Sequence, residues 1–337
     1  MRFALIQILG FVSALSLCAQ TGTVSGPVEA YTFDPPTRSL RAVIGFPGAA
    51  SFGPVLENGF DFASIAPHQN FGVGFAGSQC LLIAGLGTLK VSTAAISGVA
   101  AQPESVAWSA DGSLAVLFSQ SGNWLQTISG LPNAPVAGAR VDASSIATGL
   151  LTAVTVDAKG QIIAIGISGA AGGVFESSDG LNFGSLLALE QPVSLSFSSD
   201  STALYALDGG APQVFAITLS DRSFASLPLA GLNSPVAIQE LNDAQGNQQL
   251  YIAAKTDRLV RILDVASQQV VANITLGFQP SGLAQFGSNS FVVGRRAQAA
   301  TPLWLFATTP QPAAYFVPAV QMVAPHHAAA AIAGGVR

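Results

Sequence analysis

The chain has 337 residues, of which 50% are hydrophobic and only 9% charged, and its formal net charge is -5. Its 13 lysines and arginines include a single adjacent pair, Arg295-Arg296, so it lacks the basic stripe that neutralises a row of phosphates, which argues against nucleic acid as a partner. After Gln20, polar residues interrupt every apolar run well before the roughly 18 residues that a membrane-spanning helix needs, so the sequence predicts a large buried core and no transmembrane span.

Residues 1–20 have the layout of a signal peptide. A lone basic residue precedes an apolar stretch from Phe3 to Leu17, and small or compact residues follow it. We therefore expect export, with cleavage after Ala19. The four residues ending at Cys18 also resemble a bacterial lipoprotein signal, in which Cys18 would carry a lipid anchor, although Leu17 stands where that signal has a small residue. A true membrane anchor is disfavoured because the apolar stretch is short.

The stretch from Val28 to Gly45 reads as two short strands around the Pro35-Pro36 turn. Its pattern is a strand in which apolar and polar residues alternate, then a polar turn, then a second strand that ends at Gly. The same pattern recurs later as the second half of longer units, in residues 212–231 and 258–277. Only the predicted leader precedes it here. The stretch therefore predicts an outer strand pair that lacks its own inner pair.

Five later segments share another pattern, in which an apolar strand, a turn rich in Asp, Gly, Ser or Asn, and a second apolar strand follow one another. They occupy residues 103–118, 150–166, 192–207, 235–254 and 280–294. The last three begin at Pro192, Pro235 and Pro280, which are 43 and 45 residues apart. A period of about 40–45 residues with several strands per unit is typical of propeller blades.

Each of these pairs is followed by a second pair, so a unit has four strands. A further unit fits residues 62–98, which gives six units between Asp61 and Ala319. The fold class that we expect is therefore all-β, a β-propeller of four-stranded blades. Inner strands covered on both faces by neighbouring blades explain the near-continuous apolar runs.

The ends of the chain are expected to close the ring. Because a propeller must hide its sheet edges, we predict a seventh blade built from residues 28–45 and from C-terminal residues 319–324. Six blades with an added N-terminal hairpin is the alternative. The expected propeller domain spans residues 21–324, and the Ala- and Gly-rich residues 325–337 are expected to form a flexible tail.

Two turns carry a family resemblance, SADGS at residues 109–113 and SSDST at residues 198–202. They resemble the Ser-Pro-Asp-Gly turn of bacterial secreted WD40-like and YVTN-type propellers, and Tyr205 and Tyr251 match the Tyr of the Leu-Tyr-Val strand that follows it. The turn Pro and the Gly-His and Trp-Asp pairs of WD40 repeats are absent. The resemblance covers most of the chain after the leader and implies a propeller. Such propellers include enzymes, binding modules and assembly platforms, so it does not choose a function.

A third turn, SSDGLNF at residues 177–183, is similar to the Asp-box of sialidase-like propellers. In that family the box is structural, since its Ser and Asp brace a turn between outer strands. A sialidase would further need three convergent arginines and a Tyr nucleophile. One copy of the box therefore does not indicate glycoside hydrolysis.

Histidines and cysteines are too few to indicate a reaction. His326 and His327 lie in the predicted tail, whereas a metal site needs three or four ligands from ordered elements. His68 lies at a predicted turn and could face a channel. Cys80 lies in an apolar run and, with Cys18 in the leader, has no disulfide partner, so we expect it in the core. We assign no catalytic, cofactor-binding or metal-binding residue.

A carboxylate-lined channel is the main enzymatic alternative, and lactonase-type YVTN-like propellers suggest it. The charged residues that could gather at a channel mouth are Glu104, Glu190 and Glu240, near the starts of predicted innermost strands, and Lys255, Asp257, Arg258, Arg295 and Arg296, after second strands. Isolated surface charges explain these positions equally well. Trp108, Trp124 and Trp304 alternate with apolar residues and are expected in the core rather than in a sugar-stacking platform.

The sequence therefore favours an exported, non-enzymatic propeller that acts as a binding or scaffold module for an unidentified protein or small molecule. Few His, Lys and Cys side chains are available for general acid–base or nucleophilic chemistry. A propeller hydrolase or lactonase is the alternative. The central channel distinguishes the two. Two or more carboxylates with a His or Arg in one pocket would favour the hydrolase, and a Ser- and Ala-lined channel would favour the binding module.

Overall fold

The computed structural model describes residues 26–319, except His68, Gln69, Leu89, Ser288, Arg295 and Ala297. Within these residues the chain forms an all-β propeller of seven antiparallel blades. The predicted fold class is confirmed, and seven blades rather than six surround the centre. We number the blades in chain order.

In the described residues, blade 1 has three strands and each of blades 2 to 7 has four. Blade 1 consists of β1 (Val28–Asp34), β2 (Ser39–Ile44) and β3 (Ser51–Asn58). Blade 2 consists of β4 (Phe62–Ile65), β5 (Gly72–Ala76), β6 (Gln79–Ala84) and β7 (Ser92–Ile96). Blade 3 consists of β8 (Ser105–Trp108), β9 (Leu114–Ser119), β10 (Trp124–Ser129) and β11 (Val136–Asp142). Blade 4 consists of β12 (Leu150–Val156), β13 (Ile163–Ser168), β14 (Gly173–Ser177) and β15 (Gly184–Ala188). Blade 5 consists of β16 (Pro192–Phe197), β17 (Ala203–Asp208), β18 (Gln213–Thr218) and β19 (Phe224–Pro228). Blade 6 consists of β20 (Pro235–Asn242), β21 (Gln248–Ala254), β22 (Leu259–Asp264) and β23 (Val270–Thr275). Blade 7 consists of β24 (Ala284–Gln285), β25 (Ser290–Gly294), β26 (Leu303–Ala307) and β27 (Ala313–Val317).

Burial follows the position of a strand in its blade. In blades 2 to 7 the first strand lines a central channel and the fourth lies at the outer edge. Every residue of the second strand β9 is buried, whereas Val141 is the only buried residue of the outer strand β11. Both faces of β9 are covered, because Val116 shares a core with Ile165 of blade 4 and Leu117 shares one with Val73 of blade 2. Packing of blade against blade therefore accounts for the continuous apolar sequence of the second strands.

The two turns that carry the family resemblance have the same hydrogen bonds. Ser109 Oγ donates to Asp111 Oδ1 and Ser198 Oγ donates to Asp200 Oδ1, at 2.6 Å in both turns. The main-chain N–H two residues after each Asp donates to the same carboxylate oxygen, at 2.9 and 3.0 Å. These contacts fix the tight connection between a first and a second strand. The fold that the resemblance implies is confirmed, and membership of the bacterial repeat family stays a prediction.

The predicted strand pair at residues 28–45 forms, as β1 and β2, but its predicted position in the blade is wrong. Glu29, at the start of β1, accepts a hydrogen bond from Ser290 Oγ (2.9 Å), at the start of the second strand β25 of blade 7. Asp34, at the end of β1, contacts Arg296, which follows the end of β25. β1 therefore runs beside β25 in the same direction, as a second strand does. The pair is the second and third strand of blade 1.

The fourth strand of blade 1 is β3, which the sequence did not indicate. β3 pairs with β2 and leads through three residues, Gly59 to Asp61, into β4, the first strand of blade 2. Fourth strands lead into the next blade in the same way elsewhere in the ring. Its burial pattern, with Gly53 as the only buried residue, is also that of an outer strand.

A closing strand at the C terminus stays a prediction. No described strand pairs with the channel-side edge of β1. The predicted closing strand, residues 319–324, follows β27, the fourth strand of blade 7, at the point where the repeat begins a new first strand. Apart from Ala319, it lies outside the described residues, as do the predicted leader, residues 1–20 with Cys18, and the predicted tail, residues 325–337.

A buried ion pair joins blade 1 to blade 7. Arg296 Nη1 donates to Asp34 Oδ1 at 2.5 Å, and the two side chains are 3% and 0% exposed. Arg296 Nε also donates to the carbonyl oxygen of Thr301 (2.7 Å), and the guanidinium lies 5.0 Å from the centre of the Phe52 ring. Asp34 accepts a further hydrogen bond from Thr37 Oγ1 (2.6 Å). Arg296, predicted as a charge at the channel mouth, instead lies in this contact.

Apolar packing extends the contact between the two blades. Val43 and Ala50 of blade 1 share a core with Leu305 and Val317 of blade 7. The other face of blade 1 packs on blade 2, where Leu40 shares a core with the second blade's buried side chains. We call the contact between blades 1 and 7 the seam. The first sheet thus fills the place between the last complete blade and the second one, and the ring is continuous.

Candidate functional site

A channel of about 550 Å³ lies at the centre of the ring. Its wall is formed mainly by the first strands of blades 2 to 7, which are β4, β8, β12, β16, β20 and β24. Cavities that take small organic ligands in proteins have volumes of about 300–1,000 Å³. The channel is therefore large enough to be a ligand site.

The channel wall carries hydroxyl groups among apolar side chains that range in size from Ala to Phe and Trp. The hydroxyl-bearing residues are Ser64, Ser105, Thr152, Thr155, Ser194, Ser198, Ser199 and Ser281. Trp108 also lines the channel, where its Nε1 donates to Ser64 Oγ (2.9 Å) and its ring meets Phe71 edge to face. Of the lining residues that the structure describes, Glu240 is the only ionisable one.

Glu240 is a buried carboxyl at the channel wall. It lies near the end of β20, not near the start as the sequence suggested, and is 3% exposed. Its Oε2 accepts a hydrogen bond from the backbone N–H of Ser199 in blade 5 (2.9 Å). Its Oε1 is buried and has no hydrogen-bond partner among the described residues. One of the two carboxyl oxygens thus has no donor in the described part of the chain.

Two hydroxyls of blade 5 hold β20 in place beside β16. The backbone N–H of Glu240 donates to Ser196 Oγ (2.9 Å), and that of Ile238 donates to Ser194 Oγ (3.1 Å). Gln239 Nε2 also reaches Ser196 Oγ (3.4 Å). First strands of neighbouring blades do not pair with each other, so these side chains supply the missing partners. The position of the Glu240 backbone is fixed by them.

Burial raises the pKa of Glu240 from 4.5 to about 7. The backbone N–H and the side chain of Ser199 stabilise the charged carboxylate and oppose this effect, and the nearby negative charge of Asp200 adds to it. The carboxyl therefore changes its charge near neutral pH. Such perturbed groups in a cavity are candidates for functional sites.

The stability of the protein should fall as Glu240 ionises. Because its pKa is raised in the folded state, its contribution to stability is full below pH 4.5 and is lost as the pH rises through 7. Each pKa unit corresponds to about 1.4 kcal/mol, so the loss should be on the order of 3 kcal/mol. The neutral variant Glu240→Gln should escape this loss. Urea unfolding of both proteins at about pH 4.5 and 8 measures it, and a stability difference that stays constant between these pH values would contradict the assignment.

The other charged residues singled out in the sequence do not meet in the channel. Glu104 accepts hydrogen bonds from the backbone N–H groups of Gln120 (2.9 Å) and Ser121 (3.2 Å), and hydrogen bonds from Ser121 and Gln120 hold its pKa below its usual value. Asp257 accepts from Asn233, through its backbone N–H (2.6 Å) and its side-chain amide (2.9 Å). These two carboxylates thus brace loops. Their predicted role at a channel mouth finds no support in these contacts.

The remaining charged candidates lie on the surface or in the seam. Glu190, Lys255 and Arg258 are exposed, and Arg296 lies in the seam. Arg295 lies outside the described residues. Of the predicted charged residues that the structure describes, only Glu240 therefore lines the channel.

The Asp-box-like turn is a structural brace. Ser177 Oγ donates to Asp179 Oδ1 (2.8 Å), and the same carboxylate accepts from the backbone N–H groups of Leu181 and Asn182 (both 2.8 Å). Hydrogen bonds from Asn182, Leu181 and Ser177 hold the pKa of Asp179 well below its usual value. The turn joins the third and fourth strands of blade 4 at the outside of the ring, away from the channel.

The tryptophans occupy three different environments. Trp124 is buried in the core, as predicted. Trp108 and Trp304 are half-buried and pack against buried core clusters; Trp108 also lines the channel, and Trp304 stacks on Phe278 with ring centres 4.3 Å apart.

Cys80 is in the core as expected, and burial raises the pKa of its thiol to about 12, so it is protonated at neutral pH. His68, His326 and His327 lie outside the described residues. Among those that are described, no three His, Cys, Asp or Glu side chains form a group that could hold a metal ion. In the same part of the chain, no helix has the length and apolar character required to cross a membrane.

Comparison with known proteins identifies a similar structure but no family. No protein-family model matches the chain, and no curated protein matches it in sequence. Among solved structures, it is similar to a chain in the "Crystal structure of Nidogen/Laminin Complex", with 12% sequence identity and a TM-score of 0.47, over 74% of this chain and 92% of that chain. A similarity at this level says nothing about a ligand or partner of this chain.

Proposed function

We propose that this protein is an exported, non-enzymatic binding module whose central channel takes a small ligand. The observation that carries the proposal is the channel itself, which is about 550 Å³ in volume and lined, among the described residues, by hydroxyls, apolar side chains and one buried carboxyl. Export rests on the apolar leader in residues 1–20, a pattern that secretory signal peptides share.

The distribution of charge favours binding over hydrolysis. A hydrolytic site of the kind considered from the sequence needs at least two groups that exchange protons or attack the substrate at one position. Of the described lining residues, Glu240 alone is ionisable, while Glu104 and Asp257 are engaged in bracing loops. A single carboxyl among hydroxyls and apolar groups is the kind of lining that orients a bound ligand.

A channel-filling variant tests this function. Thr155 on β12 lines the channel, and Thr155→Trp should fill part of it, whereas Ser185→Trp places the same ring on the exposed outer strand β15 of the same blade. A library of small polar compounds is screened against the full chain by saturation-transfer NMR, and each binder is then followed for turnover.

We expect compounds that bind the wild type and Ser185→Trp, fail to bind Thr155→Trp and remain chemically unchanged. Binders that persist in Thr155→Trp, or the absence of any binder, would contradict a channel site. Conversion of a bound compound to product would contradict the non-enzymatic assignment.

A further inference from the structure

We propose that the channel selects small organic cations, and that the Glu240 carboxylate binds their ammonium group. The proposal rests on the proposed function and names the ligand class of that site. Oε1 of Glu240 has no hydrogen-bond partner among the described residues, although the side chain is 3% exposed and borders the channel. Buried polar atoms normally have a partner, so an unpartnered one at a cavity wall indicates where a ligand donor belongs.

Charge decides between a cationic and a neutral ligand. An ionised carboxylate removed from water is strongly unfavourable unless a positive charge pairs with it. No described lining residue is cationic, so the part of the chain that the structure describes supplies no counter-ion within the channel. The Ser199 N–H satisfies only Oε2. A ligand ammonium would supply both a donor for Oε1 and the missing positive charge, whereas a neutral hydroxyl would supply the donor alone.

The lining also favours an organic cation over a metal ion. Metal sites in proteins use several protein ligands, commonly three or four, and Glu240 is one carboxylate without a described His, Cys, Asp or Glu partner. The volume of about 550 Å³ leaves room for an organic body beside the ammonium. Hydroxyls such as those of Ser64 and Thr155, together with apolar side chains, would contact that body.

Two groups interact electrostatically with Glu240 and could titrate with it, Asp200 on the turn between β16 and β17 and Tyr205 on β17. The Ser198 and Thr202 hydrogen bonds lower the pKa of Asp200, and burial raises that of Tyr205 to about 12. Asp200 therefore stays charged and Tyr205 stays neutral between about pH 5.5 and 8. In this interval Glu240 is the member of the trio that changes its charge.

The test uses matched probes, benzylamine and benzyl alcohol, which share a ring and differ in one ammonium or hydroxyl group. Their dissociation constants are measured by NMR titration at about pH 8 on the wild type, Glu240→Gln and the control Glu190→Gln. Gln at position 240 keeps an oxygen for the Ser199 N–H, and Glu190 is an exposed carboxylate outside the channel lining. Repetition on the wild type at about pH 5.5 gives a readout that needs no variant.

We expect the wild type and Glu190→Gln to bind benzylamine about tenfold more tightly than benzyl alcohol, which corresponds to about 1.4 kcal/mol. The ratio should fall to about one in Glu240→Gln and decrease in the wild type at about pH 5.5. Equal binding of both probes at about pH 8 would overturn the ammonium proposal while leaving channel binding intact. An ammonium preference that persists in Glu240→Gln would also overturn it, and binding of neither probe would count against both proposals.

Discussion

Replacing Arg296 by methionine should lower the free energy of unfolding by about 3–5 kcal/mol. The variant leaves Asp34 buried without its closest cation, and the loss of one partner from a buried ion pair has a cost of this size. Arg41 replaces it only in part, because its Nε lies 3.6 Å from Asp34 Oδ2 but makes no hydrogen bond, so we expect an effect at the lower end of this range. Equilibrium urea unfolding of the full chain measures the effect.

The matched control is Arg222→Met, which removes the Arg222–Glu176 pair on the surface. Its N–O distance is 2.6 Å, but the arginine side chain is 61% exposed. Exposed pairs contribute about 0–1 kcal/mol, so this variant should change stability little. If Asp34→Asn and Arg296→Met are combined, their effects should not add, because both remove the same contact. Equal, small effects of Arg296→Met and Arg222→Met would show that the ion pair does not hold the seam.

Truncation after Ala319 should destabilise the whole propeller by on the order of 5 kcal/mol. If residues 319–324 supply the first strand of blade 1, their removal exposes the channel-side edge of β1, and about five backbone hydrogen bonds at about 1 kcal/mol each are lost. The control ends at Ala324 and lacks only the predicted tail, residues 325–337. The control should have the same melting temperature as the full chain.

Calorimetry of the full chain and the two truncated chains checks this prediction. We expect the full chain and the control to unfold in a single cooperative transition at the same temperature. The chain that ends at Ala319 should unfold at a lower temperature. Equal melting of all three would mean that the C-terminal residues do not close the ring.

Local hydrogen bonds and apolar pattern made much of the fold predictable. Turns such as residues 109–113 and 198–202 are stabilised by hydrogen bonds between residues close in sequence, so the turn sequence alone is sufficient to recognise them. Second strands such as β9 are covered on both faces, which leaves an unbroken apolar run. β3 escaped prediction because an exposed outer strand carries no such run, and its Gly53 and Pro54 are weak strand formers.

The candidate site and the seam depend on contacts between residues far apart in the chain. Glu240 was predicted as one of several charges near strand starts, but its hydrogen-bond partner Ser199 is 41 residues earlier and in another blade. Asp34 and Arg296 are 262 residues apart, and only closure of the ring brings them together. Spacing alone therefore could not separate Glu240, which lies in the channel wall, from the carboxylates that brace loops.

The central claim is that Glu240 is a buried carboxyl that receives a cation in the channel. Carbon-13 NMR of the full chain labelled at glutamate carboxyls, assigned with Glu240→Gln, measures its titration directly with and without benzylamine. We predict a midpoint near pH 7 in the free protein and a lower midpoint with benzylamine, because an ammonium stabilises the charged carboxylate. A midpoint near the ordinary value of 4.5 that benzylamine leaves unchanged would contradict the claim.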